Sequence, residues 1–127
     1  MAAPVMTQNA AGNLANGVAI AASATSAAIT VDATTKFELQ IQFNILTGAT
    51  AQAVATATVK IFRLFGSGPT SDNIPVTQFS IPMGAAATNY IGSIALPTGK
   101  YSFTVQNGDT GNAVSYSATS STIDSIA

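Results

Sequence analysis

The stretch Lys36-Phe-Glu-Leu-Gln-Ile-Gln-Phe-Asn-Ile-Leu46 decides the fold class. Phe37, Leu39, Ile41, Phe43 and Ile45 alternate with Glu38, Gln40, Gln42 and Asn44. A period of two sets the apolar group on one face of a strand, whereas a helical turn would scatter it around the cylinder. The spacing predicts a half-buried antiparallel strand, dry on one side and wet on its amide side.

Strand signals begin ten residues upstream, at Ser26, and continue downstream of this stretch. In Val59-Lys-Ile-Phe-Arg-Leu-Phe65, Val59, Ile61 and Phe65 share one parity and Phe62 and Leu64 the other. That second apolar face fits contact with an arm or another subunit, or cover by the chain's own loop. Gly66-Ser-Gly-Pro-Thr-Ser-Asp-Asn73 is a loop, and the short strand Val76–Ile81 between Pro75 and Pro82 belongs at a sheet edge. Tyr90–Leu96 is a strand, and Gly99–Asn107 is another, with Tyr101, Phe103 and Val105 facing inward. Asn107-Gly-Asp-Thr-Gly-Asn112 makes a hairpin loop before a last strand through Val114, Tyr116 and Ala118. About seven short antiparallel strands and no convincing helix predict an all-β chain, a single β-sandwich of immunoglobulin-like or jelly-roll-like topology. Residues 1–17, rich in Ala and Asn with Gly12 and Gly17, are expected to form an extended N-terminal arm, and residues 18–127 the sandwich domain. An Ala-rich helix is the competing reading of the arm, opposed by the low helix propensity of its Asn and Gly.

Composition bounds what such a sandwich does. Charged residues are 7% of the chain, against roughly 25% in ordinary soluble domains. The exterior must then be Thr, Ser, Asn, Gln and Ala, neutral groups that cost far less to remove from water than ions do. Such a skin suits burial in an assembly; a secreted domain or a low-charge monomer is the alternative. Lys36, Lys60, Arg63 and Lys100 are scattered, which argues against the basic patch that direct nucleic-acid binding requires. With no Cys and no His there is no disulfide, no thiolate and none of the usual zinc sites. Residues 1–31 carry no charge, and Val18–Val31 leans apolar. This segment lacks both the basic start of a signal peptide and the ~20 strongly apolar residues of a span, so neither export nor a membrane location is expected.

No catalytic constellation emerges, and an enzyme is not expected. General acid–base work would fall to Asp32, Glu38, Asp72, Asp109, Asp124 or a lysine, whose spacing gives no paired carboxylates. Asp32, Asp72 and Asp109 stand beside turn residues, where Asp commonly caps the backbone. Ser and Thr have no imidazole to activate them. No cofactor is implied. The strongest ligand candidate is a calcium loop from Asn107, Asp109 and Asn112, or from Asp72 and Asn73, with fewer carboxylates than such sites gather.

Two resemblances add to this reading. Leu96-Pro-Thr-Gly-Lys-Tyr101 resembles the tyrosine corner of immunoglobulin-like sandwiches, in which the hydroxyl ties back to the backbone; a Tyr simply packing on the core is the alternative. The run from Ser23 through Thr47-Gly-Ala-Thr50, with Leu96–Val105 and Gly111-Asn-Ala-Val-Ser-Tyr-Ser-Ala-Thr119, resembles small tailed-bacteriophage structural proteins. The resemblance implies a virion decoration (cement) protein on the capsid surface, made in the host cytoplasm, or a tail, neck or fibre component. Its implied partners are the major capsid protein and copies of itself, a homotrimer being favoured. Within that reading the interface is expected on Val18 and Ile20, and on Phe62 and Leu64. A receptor- or carbohydrate-binding adhesin module is the alternative from another class.

Overall fold

The computed structural model describes residues 6–8, 12–64 and 76–126. Seven strands follow in chain order: β1 (Met6–Gln8), β2 (Gly12–Ile20), β3 (Ile29–Thr47), β4 (Thr56–Leu64), β5 (Thr77–Pro82), β6 (Asn89–Asn107) and β7 (Val114–Ile126). All pairings are antiparallel, in the order β1-β7-β3-β6-β4-β5, with β2 also on β7. Among the described residues no helix is long and apolar enough to cross a membrane.

Two long strands make this one ladder into a sandwich. Ile29–Ala33 of β3 pairs with Gly99–Phe103 of β6, and Glu38–Leu46 with Asn89–Pro97. Between these blocks residues 34–37 stand against Thr98 alone. Extra residues on one strand bend it and increase its twist, so β3 and β6 fold over together. One layer then holds β1 and β2, β7, and the 38–47 and 89–97 halves; the other holds the 29–33 and 99–107 halves, β4 and β5. Across the gap the Phe43 ring meets Phe103 edge-on at 5.1 Å and Phe79 of β5 at 5.9 Å. These edge-to-face contacts suit the aromatic quadrupole.

The core is where the alternation places it. Leu39, Ile41, Phe43 and Ile45, then Val59 and Ile61, then Tyr101, Phe103 and Val105, then Val114, Tyr116 and Ala118, are all buried. Phe37 departs from its predicted face: it is 56% exposed, because it falls among the bulged residues where the period of two is broken. The strand inventory also differs from expectation. The strand signals that begin at Ser26 and the stretch Lys36–Leu46 belong to one strand, as do Tyr90–Leu96 and Gly99–Asn107, while two strands come from residues 6–20. Pro97 and Gly99 mark a bend, not an end. Thr98 stitches it by donating its hydroxyl to the carbonyls of Ala33 (3.1 Å) and Thr34 (3.2 Å). The buried Tyr101 donates its hydroxyl to the Pro97 carbonyl at 2.9 Å, the tie that the tyrosine-corner resemblance implies. Gly99 is needed beneath it: at φ +155° a Cβ would sit 3.1–3.2 Å from the Tyr101 ring and hydroxyl.

The described part of the expected arm is extended chain laid along β7, from Met6 opposite Ile126 to Ile20 opposite Val114. β2 continues through Gly17 and Val18 without a break, its register slipping between Ala15 and Val18, where Gly17 adopts φ +59° and donates its N–H to Ser117 Oγ. β5 pairs with β4 alone, the edge position that the prolines imply. Pro75 and the Gly66–Asn73 loop lie outside the described residues.

Candidate interaction face

The half of β3 that supplies the core has an opposite side, and its even-numbered residues point there. Gln40 lies opposite Ser121 of β7 and Ala95 of β6; Gln42 opposite Thr119 and Ser93; Asn44 opposite Ser117 and Ile91; Leu46 opposite Ser115 and Asn89. Ladder partners share a face, so these twelve side chains form one outward sheet surface. Among residues 40–46, 89–95 and 115–121 none is charged. Gln42 donates from Nε2 to Asn44 Oδ1 at 3.4 Å, an amide pair running along the strand. Two large apolar side chains stand exposed among these polar groups, Ile91 at 61% and Leu46 at 50%. Gln40, Gln42, Ser93, Thr119 and Ser121 line a shallow depression of about 300 Å³.

Among the described residues most charges lie elsewhere. Asp32 lies opposite Lys100, Lys100 opposite Leu64, Arg63 opposite Tyr101, and Glu38 opposite Pro97, so these groups gather at the end of the molecule where β3 and β6 bend. Lys60 is on β4, between Gln78 and Thr104 in the other layer. The Asp32 carboxyl is held below its ordinary value first by the Thr34 hydroxyl and then by the Thr34 backbone N–H, which both donate to it, with Lys100 adding a smaller attraction.

The four residues predicted as interface are not brought together. Ile20 is 2% exposed and Leu64 6%, so both are buried within the chain itself. For Leu64 the cause is a change of parity: Ile61 and Leu64 are both buried while Arg63 is exposed, at the end of β4 beside the bend. Phe62 is half-buried in the second layer, opposite Ser102. Val18 is 39% exposed beside Tyr116 at the margin of the first layer. Of the surface apolar groups missed in sequence, Leu46 and Ile91 stand on the outward face of β7, β3 and β6, while Val54 and Val76 are exposed outside it. Leu46 and Ile91 are each the odd apolar residue on the wet parity of the strand, and that was the available signal.

The calcium candidate resolves into a neutral clamp around one carboxylate. Asp109 is 1% exposed and Asn107 fully buried. Asp109 Oδ2 accepts the Gln52 backbone N–H at 2.9 Å, and Oδ1 accepts those of Gly111 (3.0 Å) and Asn112 (2.9 Å); Asn112 Nδ2 reaches both oxygens at 3.1 Å. Led by the Gln52 N–H, these donors outweigh desolvation and hold the carboxyl below its ordinary value. Asn107 Nδ2 donates to the carbonyls of Ile20, Ala21 and Asn112, and its Oδ1 accepts the Asp109 N–H. Thr50 donates its hydroxyl to Asn112 Oδ1. The carboxylate lone pairs a cation would use are thus taken by N–H groups, and the network ties three chain segments together. Asp72 and Asn73 lie outside the described residues. Among the described residues no three His, Cys, Asp or Glu side chains gather.

No family model matches the chain, and no curated protein matches it in sequence. Solved structures share its fold. The carbohydrate-binding module CBM35 of Cellvibrio japonicus Abf62 superposes at TM-score 0.52 with 10% identity, over 84% of this chain and 70% of that one. The VP2 subviral particle of infectious bursal disease virus gives TM-score 0.54 with 12% identity, over 94% of this chain and 33% of that one. Tailspike protein 4 of bacteriophage CBA120 gives 0.51 with 12% identity, over 93% of this chain and 18% of that one. This chain therefore spans about a third of the length of VP2 and less than a fifth of the tailspike domain. What the three have in common with it is the β-sandwich.

Proposed function

We propose that this chain is a non-enzymatic structural protein of a virus particle, a capsid decoration protein that docks through the outer surface of β7, β3 and β6. The observation that carries the reading is the charge-free face with Ile91 and Leu46 standing on it. Neutral amides and hydroxyls are cheap to desolvate, and two exposed aliphatic side chains supply the apolar anchors of a small interface. A stable contact needs about 800 Å² per partner, and repetition on a symmetric lattice multiplies weaker ones through avidity. The sandwich that this chain shares with a viral capsid protein and a phage tailspike is compatible with that role. A homotrimer presenting three such faces, on a capsid or at a tail or neck, follows the same logic.

Ile91→Lys combined with Leu46→Lys tests it. Both side chains point outward, so the variant is expected to keep the wild-type far-ultraviolet spectrum and unfolding midpoint. It is expected to lose self-association in sedimentation velocity and co-sedimentation with empty phage heads. Unchanged co-sedimentation would remove this face from the interface. A second reading, a carbohydrate-binding module, draws on the depression lined by Gln40, Gln42, Ser93, Thr119 and Ser121, whose amides and hydroxyls suit neutral sugar hydroxyls. No aromatic ring lines it to stack on a sugar, and a glycan array showing hits that Gln42→Ala abolishes would favour this reading over docking.

A further inference from the structure

The sequence holds two Asn-Gly pairs, Asn16-Gly17 and Asn107-Gly108, and the fold treats them oppositely. Asparagine is thermolabile because the following backbone nitrogen can attack its side-chain carbonyl, and glycine after it offers neither a side chain to obstruct the approach nor a narrow range of φ. Asn107 is fully buried, its amide nitrogen donates to three carbonyls, its Oδ1 accepts the Asp109 N–H, and the Gly108 N–H is held by the Thr56 carbonyl at 2.9 Å. Attack there requires the clamp to open. Asn16 is exposed, it lies where the register of β2 slips, and Gly17 sits at φ +59°, where a Cβ would meet nothing within 4 Å. The Gly17 N–H is restrained by a side-chain hydroxyl, Ser117 Oγ at 3.0 Å.

We infer that Asn16 is a site of spontaneous modification, converting through a succinimide to aspartate and isoaspartate in the folded protein while Asn107 is protected. Solvent base removes the Gly17 amide proton, and the nitrogen bonds to Asn16 Cγ. The Cγ–Nδ2 bond breaks and the amide nitrogen leaves as ammonia, taking a proton from water. Water then opens the ring at either carbonyl, giving one new carboxylate. Gly17 lines a depression with Asn44, Leu46, Asn89, Ser115 and Ser117, so this carboxylate forms on the residue that precedes the depression's edge. Conversion takes the net charge from −1 to one unit more negative. That conversion weakens docking rests on the function proposed above; the chemistry does not.

The folded protein is incubated at mildly alkaline pH, and fragment-ion mass spectrometry locates the amide-to-acid mass increase. Asn16 is expected to convert and Asn107 to stay intact, whereas in denaturant both convert at similar rates. Ser117→Ala is expected to speed conversion at Asn16 about two- to tenfold, what one ordinary hydrogen bond is worth, without touching Asn107. Equal rates at the two sites in the folded protein would overturn the inference, as would an Asn16 that converts only in denaturant. Asn16→Asp, assayed for co-sedimentation beside Ile91→Lys, separates the two ideas. Loss with both variants supports the coupling; loss with Ile91→Lys alone leaves the face as the interface and overturns the link from modification to docking.

Discussion

Tyr101 and Asp109 show how single side chains hold this sandwich at its two ends. Tyr101→Phe removes one buried hydrogen bond and leaves the Pro97 carbonyl without that partner, so it is expected to cost about 1 kcal/mol in urea unfolding. Asp109 and Asp32 make stability depend on acid. Both carboxyls are held below the ordinary value of 3.8, so their contribution is complete above that pH and is lost as pH falls through their lower folded values. The urea midpoint is expected to be flat near neutrality and to drop in that acid range. Asp109→Asn, which turns one acceptor into a donor among N–H groups, is expected to be less stable at neutral pH and to show a shallower acid limb. The Asx-and-glycine composition of residues 107–112 made a turn legible. That its carboxylate would be consumed by Gln52, 57 residues away, was not, because no local pattern encodes a long-range hydrogen bond.

β3 and β6 carry the lesson at the scale of elements. Alternation within Leu39–Ile45 and Tyr101–Val105 gave the buried face of each without error, since period two is a local property of a strand. The misread facing of Phe37 and the misread boundary within β6 sit at one place, the bend. Phe37 continues the alternation in sequence but falls among bulged residues, and Pro97 and Gly99 resemble terminators while the hydrogen-bonded strand passes through them. A bulge is a relation between two strands, invisible in either one alone. Close approach of the layers is likewise a property of pairs. A Cβ on Gly92 would lie 2.7 Å from Ile81 Cδ1 and 3.0 Å from Phe79 Cε2, so Gly92→Val is expected to overpack the gap beneath β5 and cost about 1–3 kcal/mol. Differential scanning calorimetry reads that loss, and Ile81→Ala in the same chain should recover part of it.

Over the whole molecule the distribution of charge matters more than its total. Scarcity was legible from composition; the gathering of Asp32, Lys36, Glu38, Arg63 and Lys100 toward one end, leaving the surface of residues 40–46, 89–95 and 115–121 bare, required the register. An interface without ions is insensitive to screening, so co-sedimentation is expected to hold as ionic strength rises past the point where the Debye length is about 3 Å. Dissociation by salt alone would place the contact at the charged end instead. A different consequence follows from the sharing of β3 and β6 between layers. Neither layer owns a complete set of strands, so neither can melt and leave the other standing. Amide protons on both sides of the core should therefore exchange through a common opening, and refolding should wait on the encounter of two segments that begin 60 residues apart. A particle built from such units would lose them whole, by detachment, before any of them softened in place.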